Sequence, residues 1–189
     1  MSKQLGFLHN SEKCIGCRGC EMACKNEYQT DASTRWRQVY QLNEKDFSLP
    51  TRMFISMACN HCEKPECLRV CPVEAYTKRE DGIVVHDQNR CIGCRLCTMA
   101  CPYNRPQFNT VKKKAEKCSL CHERLDRGEK PACVAACIPG ALELVEINAE
   151  LDLKTGILKT LPGLPSPEVT HPSIRFIGPK QGKQIRRDQ

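Results

Sequence analysis

The chain has 189 residues, a formal net charge of +7, only five per cent aromatic residues and sixteen cysteines. So few aromatic side chains exclude an ordinary apolar core of matching size, so bound metal is expected to supply part of the folding free energy. No run of about twenty apolar residues occurs, which excludes a membrane-spanning helix.

In chain order, a short strand near Gly6 to His9 leads into the first group, Cys14, Cys17, Cys20 and Cys24. Arg35 to Leu42 alternates as a second strand, carrying the only tryptophan, Trp36, which reads as packed or as a partner contact. Phe54 to Met57 precedes the second group, Cys59, Cys62, Cys67 and Cys71. Ala75 to Arg79 and Ile83 to His86 flank Glu80-Asp81-Gly82, a tight-hairpin signal because glycine tolerates positive φ. The third group is Cys91, Cys94, Cys97 and Cys101, followed by a strand at Gln107 to Asn109. After a solvated basic run, Lys112 to Lys114, comes the fourth group, Cys118, Cys121, Cys133 and Cys137, and then an alternating strand from Leu142 to Ile147.

Three chemistries use cysteine this densely. Disulfide scaffolds follow a secretory leader, and Met1 to Lys13 has no apolar segment of that kind. Structural zinc sites use two Cys-x-x-Cys knuckles separated by a longer loop, a pattern that the fourth group alone would satisfy. Groups one and three instead read Cys-x-x-Cys-x-x-Cys with a fourth cysteine further on, the run of a bacterial ferredoxin whose last cysteine reaches a different cluster. Four [4Fe-4S] clusters are therefore expected, with all sixteen cysteines as ligands.

Groups one and three are also an internal repeat. Cys14-Ile15-Gly16-Cys17-Arg18 aligns with Cys91-Ile92-Gly93-Cys94-Arg95, and His9 and His86 each stand five residues before the first cysteine. In each group the third cysteine should begin a helical turn carrying the fourth, since residues i and i+4 share a face. The expected fold is α+β: two bacterial-type two-cluster ferredoxin-like modules, one nested within the other, plus an extended C-terminal arm. The inner module takes residues 50–109, with Phe54 to Met57 and Gln107 to Asn109 as outer strands; the outer module takes 1–49 and 110–149. Crossed ligation then pairs Cys59, Cys62 and Cys67 with Cys101, and Cys91, Cys94 and Cys97 with Cys71. In the outer module Cys14, Cys17 and Cys20 take Cys137, while Cys118, Cys121 and Cys133 take Cys24.

From about Glu150 cysteines stop and prolines stand at 162, 165, 167, 172 and 179. Residues 150–189 cannot form a core alone and read as an arm lying along another subunit. The charge of +7 does not point to nucleic acid: thiolates of about −16 and four oxidised cores of about +8 contribute roughly −8, leaving about −1. Arg18, Arg95, Lys64 and Arg69 lie near ligands as surface charge or cluster-tuning groups, and His61 and His122 read as hydrogen bonders to the sites rather than ligands. No nucleophile with a base, phosphate-binding glycine loop or open metal site makes this chain a catalyst by itself.

Cys59-Asn60-His61-Cys62, Cys91-Ile92-Gly93-Cys94-Arg95, Cys101-Pro102-Tyr103, the stretch from Cys118 to Cys137 with Arg124, Gly128, Pro131 and Ala132, and the tail around His171-Pro172-Ser173-Ile174 resemble the iron–sulfur electron-transfer subunit of dimethyl sulfoxide reductase and its relatives. One departure is Ile138, which stands between the last ligand and Pro139 and puts the local turn in question. The resemblance implies a four-cluster wire between a catalytic subunit carrying a molybdenum or tungsten bis-pterin cofactor and a membrane anchor subunit handling quinones, with the cluster of group one nearest the catalytic subunit. It implies a chain assembled in the cytoplasm without its own signal peptide and associated with the membrane through partners, on either side. The alternatives are a free polyferredoxin, or the equivalent subunit of a hydrogenase, formate dehydrogenase or nitrite reductase complex.

Overall fold

A computed structural model describes residues 3–41 and 53–178. The elements in order are β1 (Leu5–Asn10), α1 (Gly19–Tyr28), β2 (Gln38–Gln41), β3 (Phe54–Met57), α2 (Glu66–Arg69), β4 (Tyr76–Lys78), β5 (Val84–His86), α3 (Leu96–Ala100), β6 (Gln107–Asn109), β7 (Lys114–Glu116), α4 (His122–Asp126), α5 (Ala132–Ala135), β8 (Leu142–Glu146), α6 (Ala149–Leu153), β9 (Ile157–Leu158) and β10 (Ile174–Ile177). Strands are short because a cysteine loop interrupts the chain every few residues. The helices are short for the same reason, except α1, which runs ten residues before Gln29 closes it in the left-handed region at φ 47°.

Four ladders organise the chain. β1 and β8 pair antiparallel, with Phe7 opposite Leu144; β4 and β5 form the hairpin expected around Asp81-Gly82. β3 pairs with β2 and β6 with β7, each antiparallel. The strands at Phe54–Met57 and Gln107–Asn109 thus exist, but each pairs across to a strand of the flanking segment and not with the other. The join from β6 to β7 is a hairpin. Helix α1 packs on α5 and α2 on α3.

The C-terminal segment departs from the expected arm. β10 lies parallel to β1, with Phe7 opposite Ile174, giving a four-stranded sheet in the order β8-β1-β10-β9. Ile174 and Phe176 are 2 % and 1 % exposed and join Phe7, Val39, Ile55, Met57, Ile83, Leu120, Leu142 and Leu161 in the main core. The proline-containing segment has no core of its own, but its apolar side chains complete that of the preceding residues. Gly6 permits this approach: a Cβ there would lie 2.0 Å from the Ser173 carbonyl. The expected module boundary at 49–50 and the last part of the tail, from Pro179, lie outside the described residues.

Candidate iron–sulfur centres

The four Cys-x-x-Cys knuckles share one backbone turn. The residue before the second cysteine has positive φ in all of them: Gly16 at 70°, His61 at 44°, Gly93 at 74° and Leu120 at 57°. Glycine takes this conformation freely, while His61 and Leu120 adopt it at a cost of about 1 kcal/mol or more. At Gly93 the surroundings add a second reason, since a Cβ would lie 2.3 Å from the Lys113 carbonyl.

The third cysteines stand in helical turns as expected, but only α1 also carries the fourth; α2, α3 and α5 end before Cys71, Cys101 and Cys137. Cys20 and Cys24 lie in α1, Cys67 in α2, Cys97 in α3 and Cys133 in α5. Groups two and four share a further likeness that their sequences show less clearly. Pro65 and Pro131 precede α2 and α5, and Val70 and Ala136 cap them with nearly the same angles, φ −91° and −84°. After the fourth cysteine, Ala75 and Ala141 each donate a backbone N–H to the sulfur four residues back, at 3.3 and 3.2 Å. The turn after Cys137 is therefore that after Cys71, with Gly140 and Glu74 both at positive φ. Ile138 takes the place of Pro72 and points to solvent, 96 % exposed.

Three partly open spaces of similar size collect cysteines from different groups. Cys14, Cys17, Cys20 and Cys137 line one of about 330 Å³. Cys59, Cys62, Cys67 and Cys101 line another of about 370 Å³, and Cys71, Cys91, Cys94 and Cys97 a third of about 290 Å³. We number these the first, second and third sites. The remaining four, Cys24, Cys118, Cys121 and Cys133, are all buried. Cys24 lies within the electrostatic reach of Cys133 and Cys121, and Cys118 within that of Cys24 and Cys133; they form the fourth site.

The lining fits a sulfur-ligated cluster. Burial, partly offset by the Arg37 charge, pushes the Cys24 thiol up to about 12, and burial also pushes Cys62 up to about 12. Cys118 is raised well above the ordinary thiol range by the same desolvation. Such thiols are protonated at neutral pH, so they ionise only when metal replaces the proton. Backbone N–H groups already aim at sulfur at Cys71, Cys137 and Cys118, the last from Leu120 at 3.3 Å.

Each of the three spaces also has one histidine in its lining: His9, His61 and His86. The Ser56 N–H donates to His9 Nε2 at 3.2 Å, and the Val84 N–H to His61 Nδ1 at 3.0 Å. A ring nitrogen that accepts carries no proton, so both rings are neutral, with the hydrogen on His9 Nδ1 and His61 Nε2. Those two N–H groups are buried without a partner, as is His86 Nε2. Burial holds His9 and His86 down at about 4, the charge of Arg37 adding to it at His9 and that of Lys117 at His86. The ring of His61 thus bonds the backbone of Val84, and among the described residues no bond from it to a cysteine sulfur is found. In the sequence His9 and His86 show only as markers of the repeat. His122 opens α4 beside Cys121, 4.0 Å from Asp126.

Two buried cations carry no sequence signal of their burial. Arg37 is 2 % exposed and Lys117 3 % exposed. Lys117 Nζ donates to the Val84 and Cys118 carbonyls, and its charge acts on Cys67. The basic residues noted near the ligands sit otherwise: Arg69 pairs with Glu66 on the surface, and Arg95 lies 3.8 Å over the Phe108 ring. Lys114, expected in a solvated loop, begins β7 and donates to the Gln88 carbonyl at 2.6 Å. Trp36 stacks against Tyr28 at 4.6 Å and packs on Ala58, Cys59 and Cys118, where the second and fourth sites meet.

The tail closes the second site. His171 and Thr170 carbonyls accept from Glu63 and Lys64 N–H, Ser173 N–H donates to Asn60 O at 2.9 Å, and Ser173 Oγ donates to His61 O at 2.8 Å. Thr170 itself lines the space around Cys59. No helix among the described residues is long and apolar enough to cross a membrane.

Comparison with known proteins agrees with this reading. A family described as a 4Fe-4S dicluster domain matches residues 50–147, and one described as a 4Fe-4S binding domain matches residues 11–30. One of the chains of the anaerobic dimethyl sulfoxide reductase of Escherichia coli is 41 % identical over 182 residues, covering 92 % of this chain and 88 % of that protein. A tetrathionate reductase subunit of Salmonella typhimurium is 43 % identical over 144 residues, 75 % of this chain and 58 % of that protein. A polysulfide reductase chain of Wolinella succinogenes is 37 % identical over 169 residues, 88 % of this chain and 87 % of its own. With three such likenesses, each covering three quarters of the chain or more, the chain therefore belongs to the family of iron–sulfur subunits of the dimethyl sulfoxide, tetrathionate and polysulfide reductases.

Proposed function

We propose that this chain is the electron-transfer subunit of a reductase complex, holding four [4Fe-4S] clusters in the spatial order first, fourth, second, third. A cluster at each site supplies one-electron storage with little change of shape. Cys24 and Cys137 exchange between the first and fourth sites where α1 packs on α5; Cys71 and Cys101 exchange between the second and third where α2 packs on α3. Cys59 and Cys118 share one small core and join the two pairs. The β1–β8 and β4–β5 ladders support the same reading, a two-site module at residues 50–109 nested within one built from 1–49 and 110–149. All sixteen cysteines are ligands in this reading, four to a site, and none is left for catalysis.

The observation that carries the proposal is the distribution of exposure. Cys17 in the first site and Cys94 in the third are exposed, whereas all four cysteines of the fourth site are buried. The exposed pair are repeat equivalents, and each group leaves apolar side chains exposed that solvent alone does not favour: Ile15, Met22 and, after Cys137, Ile138 for the first site, and Ile92, Leu96 and Met99 for the third. A conductor needs its end sites within reach of partners and its middle sites insulated. The partner at the first site would be a molybdopterin-containing catalytic subunit, and that at the third an integral membrane anchor subunit. Both assignments rest on the family, as does membrane association through partners.

The test combines composition with assembly. Native protein should contain about sixteen iron and sixteen sulfide per chain. Replacing Ile15 and Met22 by glutamate should keep that content and abolish co-purification with the catalytic subunit, while the same change at Ile92 and Met99 should abolish co-purification with the membrane subunit. Zinc in place of iron would refute cluster binding, and a loaded monomer exchanging electrons freely in solution would make the chain a polyferredoxin.

A further inference from the structure

Arg37 is a buried charge without a conventional partner. Its guanidinium lies 4.4 Å over the Phe7 ring, and Nη1 donates to the Ser56 carbonyl at 3.3 Å and to Ser56 Oγ at 3.0 Å. Nε and Nη2 are buried with nothing to bond. Among the described residues no Asp or Glu forms an ion pair with it. A guanidinium cannot lose its proton at any physiological pH, so its charge has to be compensated in place or it costs several kcal/mol in effective desolvation.

Sulfur surrounds it instead. The Ser56 hydroxyl that holds Nη1 lies 3.3 Å from Cys20 Sγ, a ligand position of the first site. Cys133, Cys118 and Cys24, which belong to the fourth site, lie within the field of the guanidinium. Arg37 thus stands between two sites, its charge acting on the cysteines of both and its serine linking it to the first. The planar fork of five N–H groups can serve two sides at once, which a single ammonium cannot do as well.

We propose that Arg37 is the counter-ion shared by the first and fourth sites, a fixed cation that neutralises thiolate charge in both and raises the reduction potentials of both relative to the second and third. The proposal rests on cluster occupancy of these sites as described above. It explains why an arginine with two unpartnered nitrogens is tolerated in an interior made mostly of cysteine and small apolar side chains. Ser56 is the positioning residue: it fixes Nη1 and carries the link to Cys20.

The test is a redox titration of the full chain, purified anaerobically and followed by electron paramagnetic resonance, with iron and sulfide measured on the same samples. In Arg37→Gln two of the four midpoint potentials should fall together and two should stay; Arg37→Lys should recover most of the shift. Should the glutamine variant fold but fail to keep its clusters, it should lose about half its iron while the lysine variant stays fully loaded. A fully loaded glutamine variant with four unchanged midpoints overturns the proposal. So does an equal fall in all four, which would mean a diffuse field, or equal depletion in the lysine and glutamine variants, which would mean that shape and not charge is needed. A wild-type chain with far fewer than sixteen irons would instead refute the four-cluster reading, before Arg37 is touched.

Discussion

Replacing Phe176 by alanine separates an internal strand from a docking arm. Phe176 is 1 % exposed, sits opposite His9 in the β1–β10 ladder and belongs to the main core with Phe7, Ile174 and Leu161. Truncating a buried phenylalanine removes its transfer free energy and leaves a cavity, together costing about 3–5 kcal/mol. Against a total stability of roughly 5–15 kcal/mol, that is a large share. Because cluster proteins do not unfold reversibly, the measurable quantity is a rate. If the interaction is absent from the unfolding transition state, the loss accelerates unfolding by roughly 10²–10³-fold, a tenfold step for each 1.4 kcal/mol. The assay is the decay of the visible cluster absorbance of the isolated, anaerobic chain in guanidinium chloride. Val169→Ala, at a position 56 % exposed, is the control and should change stability by no more than about 0.5 kcal/mol. A Phe176→Ala chain that bleaches at the wild-type rate alone, yet no longer assembles with partners, would refute the internal strand and restore the arm.

Other expectations concern the sites. Cys24→Ser should disturb the spectrum of the site containing Cys118, Cys121 and Cys133 and leave that of Cys14, Cys17 and Cys20 with its ligands; loss of the latter signal would refute the crossed arrangement. Gly93→Ala forces a Cβ to within 2.3 Å of a backbone carbonyl at φ 74°, so the third site should lose iron selectively, to be seen as a deficit in iron per chain with the first-site signal intact. Burial raises the metal-free thiols of Cys24 and Cys62 to about 12, which favours the protonated, metal-free form increasingly as pH falls. Chelator-driven cluster loss should therefore quicken from pH 7 to pH 5, and a flat profile would count against proton competition. The iron-free, reduced chain should be largely disordered, since its thin apolar core is left around uncompensated Arg37; near-native far-UV circular dichroism from such a sample would contradict this.

Cysteine spacing locates the sites well because it is local: a Cys-x-x-Cys knuckle dictates its own backbone, and the structure repeats one turn in all four groups. Strand positions are legible for the same reason. Phe54 to Met57 is readable as an outer strand leading into the second cysteine group and stands as a strand with those bounds. Its partner is not legible, because periodicity says which residues form a strand but not which distant strand lies beside it. Ile174 to Ile177 shows the same division. The strand is readable, whereas its place beside β1 depends on Gly6, some 170 residues earlier, leaving room for the Ser173 carbonyl. Arg37 looks like one polar member of an alternating strand. Nothing in its neighbours indicates that Phe7, Ser56 and four cysteines converge on it, because each comes from a different part of the chain. His9 and His86 carry a signal, the repeated spacing before the first cysteine, which marks them as equivalent without saying what the equivalence is for.

The first strand of this chain lies between its last two long ones, β8 on one side and β10 on the other. A ribosome delivers β1 first and both neighbours last, so the sheet cannot form until almost the whole chain has emerged. The four-stranded sheet is therefore completed late in synthesis, when β10 takes its place beside β1.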